Sequence, residues 1–179
     1  ATLHNIGIVQ MRLENYDEAL LSFQKAVRVR RGAIGRDHAD VATSLVKVGV
    51  VELLLHRFDA ALLTFREALS VRRHALGHLH PSTARIYNNI GCAHAKFNEV
   101  REARCAFEAA LDVQRNALLY DPGNEQLQFA VSTTLSNLAH LYTSRGMHAK
   151  ASMVLAEALS FQESVFSNDH PLVMSTLDA

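Results

Sequence analysis

VRRHALGHLHP, residues 71–81, repeats VRRGAIGRDHA, residues 29–39, at a displacement of 42 residues. Val-Arg-Arg opens both stretches, Gly77 falls on Gly35, and His80 falls on His38. The same displacement carries Gly7 onto Gly49 and Gly91, Ala19 onto Ala61 and Ala103, Phe23 onto Phe65 and Phe107, and Ala26 onto Ala68 and Ala110. Tyr16 falls on Phe58. Beyond residue 111 the displacement becomes 48, and Ala139, Ala151, Leu155 and Ala158 stand where Gly91, Ala103, Phe107 and Ala110 stood. A period of this size marks a stacked repeat, in which one unit cannot bury its apolar face alone.

Within a unit, Leu45, Val48 and Gly49, then Ala61, Phe65 and Ala68, recur at helical spacing, so each unit reads as two helices. Gly49 and Ala61 are expected to face each other where the helices cross, with Phe65 behind them. Long Ala/Leu/Arg/Glu segments favour helix, and no alternating β-branched run is bounded by turn residues. The expected fold class is all-α, an α-solenoid of antiparallel helix pairs forming a single domain over 1–179. Its repeats fall at about 1–35, 36–77, 78–122 and 123–167, with the start of a fifth at 168–179. The first residues already read as helix, which suggests a piece of a longer protein. Asp121-Pro122-Gly123-Asn124 is a strong turn where six extra residues enter. They are expected to lengthen the flanking helices, with Asn124 capping the next one.

The small residue of the first helix, the aromatic ahead of x-x-Ala, and the later Phe and Ala stand where tetratricopeptide repeats carry them. The chain resembles that family over its whole length. The 42-residue period with Leu76-Gly77, His80-Pro81 and Asn88-Asn89-Ile90, and again Asp169-His170-Pro171, resembles the kinesin-light-chain branch. The resemblance implies a right-handed solenoid whose first helices line a concave surface. The Asn pair is complete only in the third unit; its counterparts are His4-Asn5, Val46-Lys47 and Ser136-Asn137.

Lys+Arg balances Asp+Glu at 18 each, so no basic surplus points to nucleic acid or a membrane. No apolar run reaches the roughly 18 residues that cross a bilayer. Cys92 and Cys105 form no C-x-x-C pair, which fits a reducing, cytoplasmic setting. No P-loop, H-E-x-x-H or G-x-S-x-G occurs, so neither an enzyme nor a cofactor is expected. Arg31, Arg73 and Arg115 recur one unit apart and read as solvated repeat positions. Glu52 and His56, four apart, read as a surface helix pair.

His74, His78 and His80 crowd one short stretch, yet zinc needs three or four convergent ligands. His80 is the repeat's own residue, expected to start a helix whose first turn holds Pro81. His74 falls on the last turn of a helix and His78 in the loop, so no metal site is expected.

In the second unit the core stripe is Leu45, Val48 and Gly49. Val46, Val50 and Leu53 point roughly the other way on a helical wheel, toward the concave surface. Their counterparts are His4, Ile8 and Met11 in the first unit, Asn88, Cys92 and Ala95 in the third, and Ser136, His140 and Thr143 in the fourth. The groove is thus expected to be apolar at one end and polar at the other, with Arg85 and Lys96 adding positive charge near its middle. The resemblance implies that Asn88 and Asn89 hydrogen-bond a peptide backbone. The expected function is a non-enzymatic protein-interaction scaffold that binds a short peptide or a partner helix in this groove. The alternatives are a structural or self-associating segment, or the sensor arm of a larger signalling ATPase. Residues 48–55 are apolar nearly all round their helix, which asks for burial on both faces, by a partner or by another copy of the chain.

Stoichiometric zinc is expected to raise the melting temperature of the parent no more than that of a His78→Ala variant. A metal-dependent rise in the parent that the variant loses would place a zinc site in this stretch.

Overall fold

The computed structural model describes residues 2–165 and 176. Among these residues lie eight α-helices and no strand. They are α1 Thr2–Arg12, α2 Tyr16–Ile34, α3 Ala39–Leu54, α4 Phe58–Leu76, α5 Pro81–Lys96, α6 Val100–Tyr120, α7 Glu125–Thr143 and α8 His148–Val165. Each helix packs chiefly on its neighbours in sequence, and the first helices α3, α5 and α7 also touch in succession. That is the quasi-one-dimensional contact pattern of an α-solenoid, as the repeat requires. Asp169-His170-Pro171 and the start of the fifth unit lie outside the described residues, except for Thr176, which is helical and buried.

The pairing of the two helices in a unit rests on a phenyl ring and a missing side chain. Phe23, Phe65 and Phe107 are essentially fully buried. A Cβ on Gly7, Gly49 or Gly91 would lie 2.8, 2.6 and 2.6 Å from the Cε1 of the phenylalanine in its own pair. So the ring itself, rather than Ala61, occupies the space beside Gly49. Ala61 is fully buried too, but the close approach is between glycine and ring. The fourth pair changes both partners together: Ala139 replaces the glycine and Leu155 the phenylalanine. The exchange adds a methyl group and removes a ring, so the summed side-chain volume is about kept, and Leu155 is half-buried where the rings are fully buried.

The turn within each pair has its own constraint. Glu14, His56 and Asn98 adopt φ values of 61°, 57° and 65°, and Gly146 stands at the same repeat position with φ 67°. Only glycine takes this left-handed conformation without steric cost, and asparagine tolerates it best among the rest. Between pairs, the histidines serve as caps. Nδ1 of His38 accepts the N–H of Asp40 at 3.1 Å, and Nδ1 of His80 accepts the N–H of Ser82 at 3.2 Å. Pro81 follows as the first helical residue. The crowded histidine stretch is therefore a helix start with His74 and His78 exposed beside it. Asn124 caps α7 through its Oδ1, which accepts the N–H of Leu127 at 3.1 Å. The extra residues go mostly into helix: α6 has 21 residues against 19 in α4, and α7 has 19 against 16 in α5.

Two surface assignments change. The arginines one unit apart are tied rather than solvated. Arg31 and Arg115 donate to Glu67 and Glu157 on the next second helix. The third unit carries Ala109 at that acidic position, and Arg73 turns instead to Tyr87, donating to its hydroxyl and lying 5.3 Å from the ring centroid. These half-exposed pairs contribute about 0–1 kcal/mol each. Glu52 is not half of a surface pair either. It is only 7% exposed, with one carboxylate oxygen buried and without a hydrogen-bond partner. His56 sits away in the turn, its ring 5.7 Å from that of Phe58. The i, i+4 spacing fails because α3 ends at Leu54, two residues before His56.

Two measurements follow from this packing. Gly49→Ala forces the Phe65 ring to shift, and overpacking of roughly 1–3 kcal/mol outweighs the roughly 1 kcal/mol that alanine gains in a helix interior. Denaturant titration is expected to show net destabilisation, with Phe65→Leu less costly in the Gly49→Ala background than in the parent. Additive effects would contradict the contact. Burial holds the Glu52 carboxyl above its ordinary pKa, opposed in part by a hydrogen bond from Thr64 and by the charge of Arg57. The folded chain therefore binds this proton more tightly than the unfolded chain. Stability from it is full below the ordinary glutamate pKa and is lost as pH rises through the raised one. Glu52→Gln is expected to raise the melting temperature at pH 7 and to lose that advantage at about pH 4. An equal gain at both pH values would show that charge burial is not the cause.

Candidate interaction groove

The named groove positions lie on the first helices α1, α3, α5 and α7, and the structure separates them into two kinds. The apolar half is packed down. Val46 is 9% exposed and belongs to the main hydrophobic core, which corrects its assignment to an open groove wall. Ile8, Met11, Val50 and Leu53 are half-buried and rest against the same core. The helical wheel gives the direction of a side chain but not the distance to the next helix. Because adjacent first helices touch, a residue facing along that seam is covered. His4 is also turned inward. Its ring meets the buried Phe23 edge-on at 5.4 Å, and its Nδ1 is buried without a hydrogen-bond partner. Burial, with the nearby charges of Arg30 and Lys47, holds its pKa below the usual histidine range.

The polar half is open. Arg85 and Lys96 on α5 and His140 and Thr143 on α7 are exposed, while Asn88, Asn89, Cys92, Ala95 and Ser136 are half-buried. Asn137 donates to Oδ1 of Asn88 at 3.1 Å across the two helices, and Arg145 reaches the carbonyl of Ala95 at 3.0 Å. Burial pushes the Cys92 thiol up despite nearby Lys96, the opposite of what a nucleophile requires.

At the start of these helices lies a cleft of about 550 Å³. Arg85 and Asn88 line one wall, Phe129 and Thr133 the other, and Gln114 lies among the lining residues. No acidic residue lines it. Phe129 is 52% exposed although it is aromatic. Gln114 is 3% exposed; its amide N–H donates to the carbonyl of Ala130 and to the Thr134 hydroxyl, both at 3.1 Å, leaving Oε1 without a partner. Arg72 adds positive character nearby: it donates to the Thr43 hydroxyl at 2.9 Å, and burial and the charge of Arg85 lower its pKa. Sequence reasoning carried the register to Asn137 without giving it a place in the groove, and it missed Thr133 and Phe129. Asn137 and Thr133 stand 48 residues after Asn89 and Arg85, so carrying the register forward finds both. Phe129 stands 48 after Pro81, and no pattern distinguishes it from a helix-start residue.

One tetratricopeptide repeat model matches residues 1–74 and 64–116, and a second model of the same name matches 131–172. No curated protein sequence matches the chain. Among solved structures, BtubC (BKLC) from P. vanneervenii is 21% identical with a TM-score of 0.80, over 94% of this chain and 64% of that one. This chain thus spans less than two thirds of that protein's length. A putative kinesin light chain with TPR-like repeats from Podosopora anserina is 15% identical with a TM-score of 0.80, over 98% of this chain and 80% of that one. RapI in its apo form is 17% identical with a TM-score of 0.77, over 98% of this chain and 59% of that one. At these identities the likeness is one of fold. With its Gly–Phe pairs, its four stacked units and these matches, the chain belongs to the tetratricopeptide repeat family, as an α-solenoid similar in fold to a putative kinesin light chain.

Proposed function

We propose that this chain holds a short peptide segment or a partner helix along its concave face, with its main anchoring point in the cleft between α5 and α7. The observation that carries this reading is that cleft: Arg85 and a half-exposed Phe129 facing one volume with no acidic side chain in its lining. A solvent-exposed aromatic beside an uncompensated cation is an anchor for a ligand rather than a stabilising contact of the free chain. The preferred ligand carries an acidic side chain opposite Arg85 and an apolar one against Phe129. Asn88 and Asn89 supply amide groups for its backbone. Ile8, Met11, Val50 and Leu53 provide a shallow apolar continuation, since they are already half-covered.

The reading is of a non-enzymatic scaffold. Two unpaired cysteines fit a reducing cytoplasm, and among the described residues no helix is long and apolar enough to cross a membrane.

A display selection against the chain, followed by anisotropy titration of the selected peptide, tests this. Arg85→Glu and Phe129→Ala are each expected to weaken binding about tenfold or more with helicity unchanged. Val50→Ser is expected to have a smaller effect. Full affinity in both cleft variants would place the binding surface elsewhere.

A further inference from the structure

A separate cleft, of about 620 Å³, opens where α2, α3 and α4 meet, and it shares no lining residue with the cleft between α5 and α7. Three arginines line it: Arg28 and Arg31 near the end of α2, and Arg36 in the turn that follows. The chain as a whole carries no net charge, so this is a local concentration of one sign. Arg31 keeps the role of its repeat position and donates to Glu67. Arg28 and Arg36 are exposed, and among the described residues neither has a hydrogen-bond or ion-pair partner. Asp37, next to Arg36 in sequence, is outside the lining. The repeat does not call for these two arginines either. Arg28 gives way to Ser70 and Asp112 in the next two units, and Arg36 to His78 and Tyr120. One unit on, a cleft of about 590 Å³ opens at the same register, with Arg66, His74 and His78 in its lining. There Arg73 is already engaged with Tyr87. In the third unit Glu108 and Asp112 stand at these positions, so the basic character is greatest in the first cleft and ends with the second.

We propose that the cleft of Arg28, Arg31 and Arg36 binds a phosphate group, carried either by a free phosphate compound or by a phosphorylated side chain. Guanidinium groups pair with phosphate oxygens through two parallel hydrogen bonds. Two unpartnered arginines and a third that is partly exposed match a doubly charged anion better than a single carboxylate. The glycine among them, Gly32, leaves room: a Cβ there would meet nothing within 4 Å. The one acidic side chain in the lining is Glu52, whose buried carboxylate oxygen has no partner. An ionised Glu52 repels a bound anion, so it weakens this site rather than building it.

Titration of the chain with inorganic phosphate at constant ionic strength, followed by amide NMR shifts, tests this. The shifts are expected to saturate and to concentrate in residues 24–36 and around Glu52 and Thr64. Arg28→Ala and Arg36→Ala are each expected to weaken binding about fivefold or more with helicity unchanged. Lys25→Ala removes an exposed charge of α2 that lies outside the lining, and it is expected to change binding less than about twofold. Glu52→Gln is expected to tighten it. N-acetyl-phosphoserine amide binding more tightly than phosphate assigns the group to a phosphorylated side chain, and weaker binding assigns it to a free phosphate compound. Acetate binding as tightly as phosphate would overturn the proposal. So would an equal loss in Lys25→Ala, since the surface field alone would then attract the anion. Loss of binding in Glu52→Gln would overturn it as well, because the carboxylate would then be holding a cation.

Discussion

The ring of Phe65 occupies the place that a methyl group on Gly49 would take, and the solenoid depends on that contact. Three of the four pairs repeat it with Phe23 and Phe107 against Gly7 and Gly91. Burying a phenylalanine removes a large apolar area from water, but the ring fits only if the facing backbone carries no side chain. The glycine therefore costs helix propensity, roughly 1 kcal/mol against alanine, and ring burial offsets it. The fourth pair carries Ala139 and Leu155 at these two register positions, a larger residue for the glycine and a smaller one for the ring.

The close approach has consequences on the other side of the first helices. With each pair drawn tight and successive pairs stacked, α3, α5 and α7 touch one another. A continuous deep groove is then not available. Side chains facing the seam, Val46 above all, become core. Open volume survives where the 48-residue displacement intervenes, between α5 and α7. There the added first turn of α7 puts Gln126 and Leu127, with Asn124 ahead of them, into the cleft lining beside Phe129 and Thr133. The inserted residues thus do more than lengthen two helices, because they add to one wall of the cleft in which ligand binding is proposed.

Architecture was legible because it is written in register. Gly49, Phe65 and Ala61 recur at fixed displacements, and physical necessity ties each to a role; even the capping histidines, His38 and His80, follow from position alone. The site was legible only in part. Asn88 was placed on the groove side by the helical wheel, with Arg85 and Lys96 as charges near its middle, and the structure leaves all three open or half-open. Val46 and His4 were misjudged because angle on a helix says nothing about how near the next helix comes. Glu52 was misjudged because α3 ends at Leu54, which takes His56 out of i, i+4 reach, and because its burial depends on neighbours from other helices. Phe129 carries no repeat signature, so its exposure beside Arg85 is visible only in three dimensions.

Amide hydrogen exchange of the chain with and without a selected peptide is the most direct measurement of the central claim, that the concave face of the first helices holds the ligand. The account predicts that protection concentrates at the start of α5 and α7, around residues 81–92 and 125–137, and falls away along α3 and α1. Protection confined to the second helices, α2, α4, α6 and α8, would contradict it.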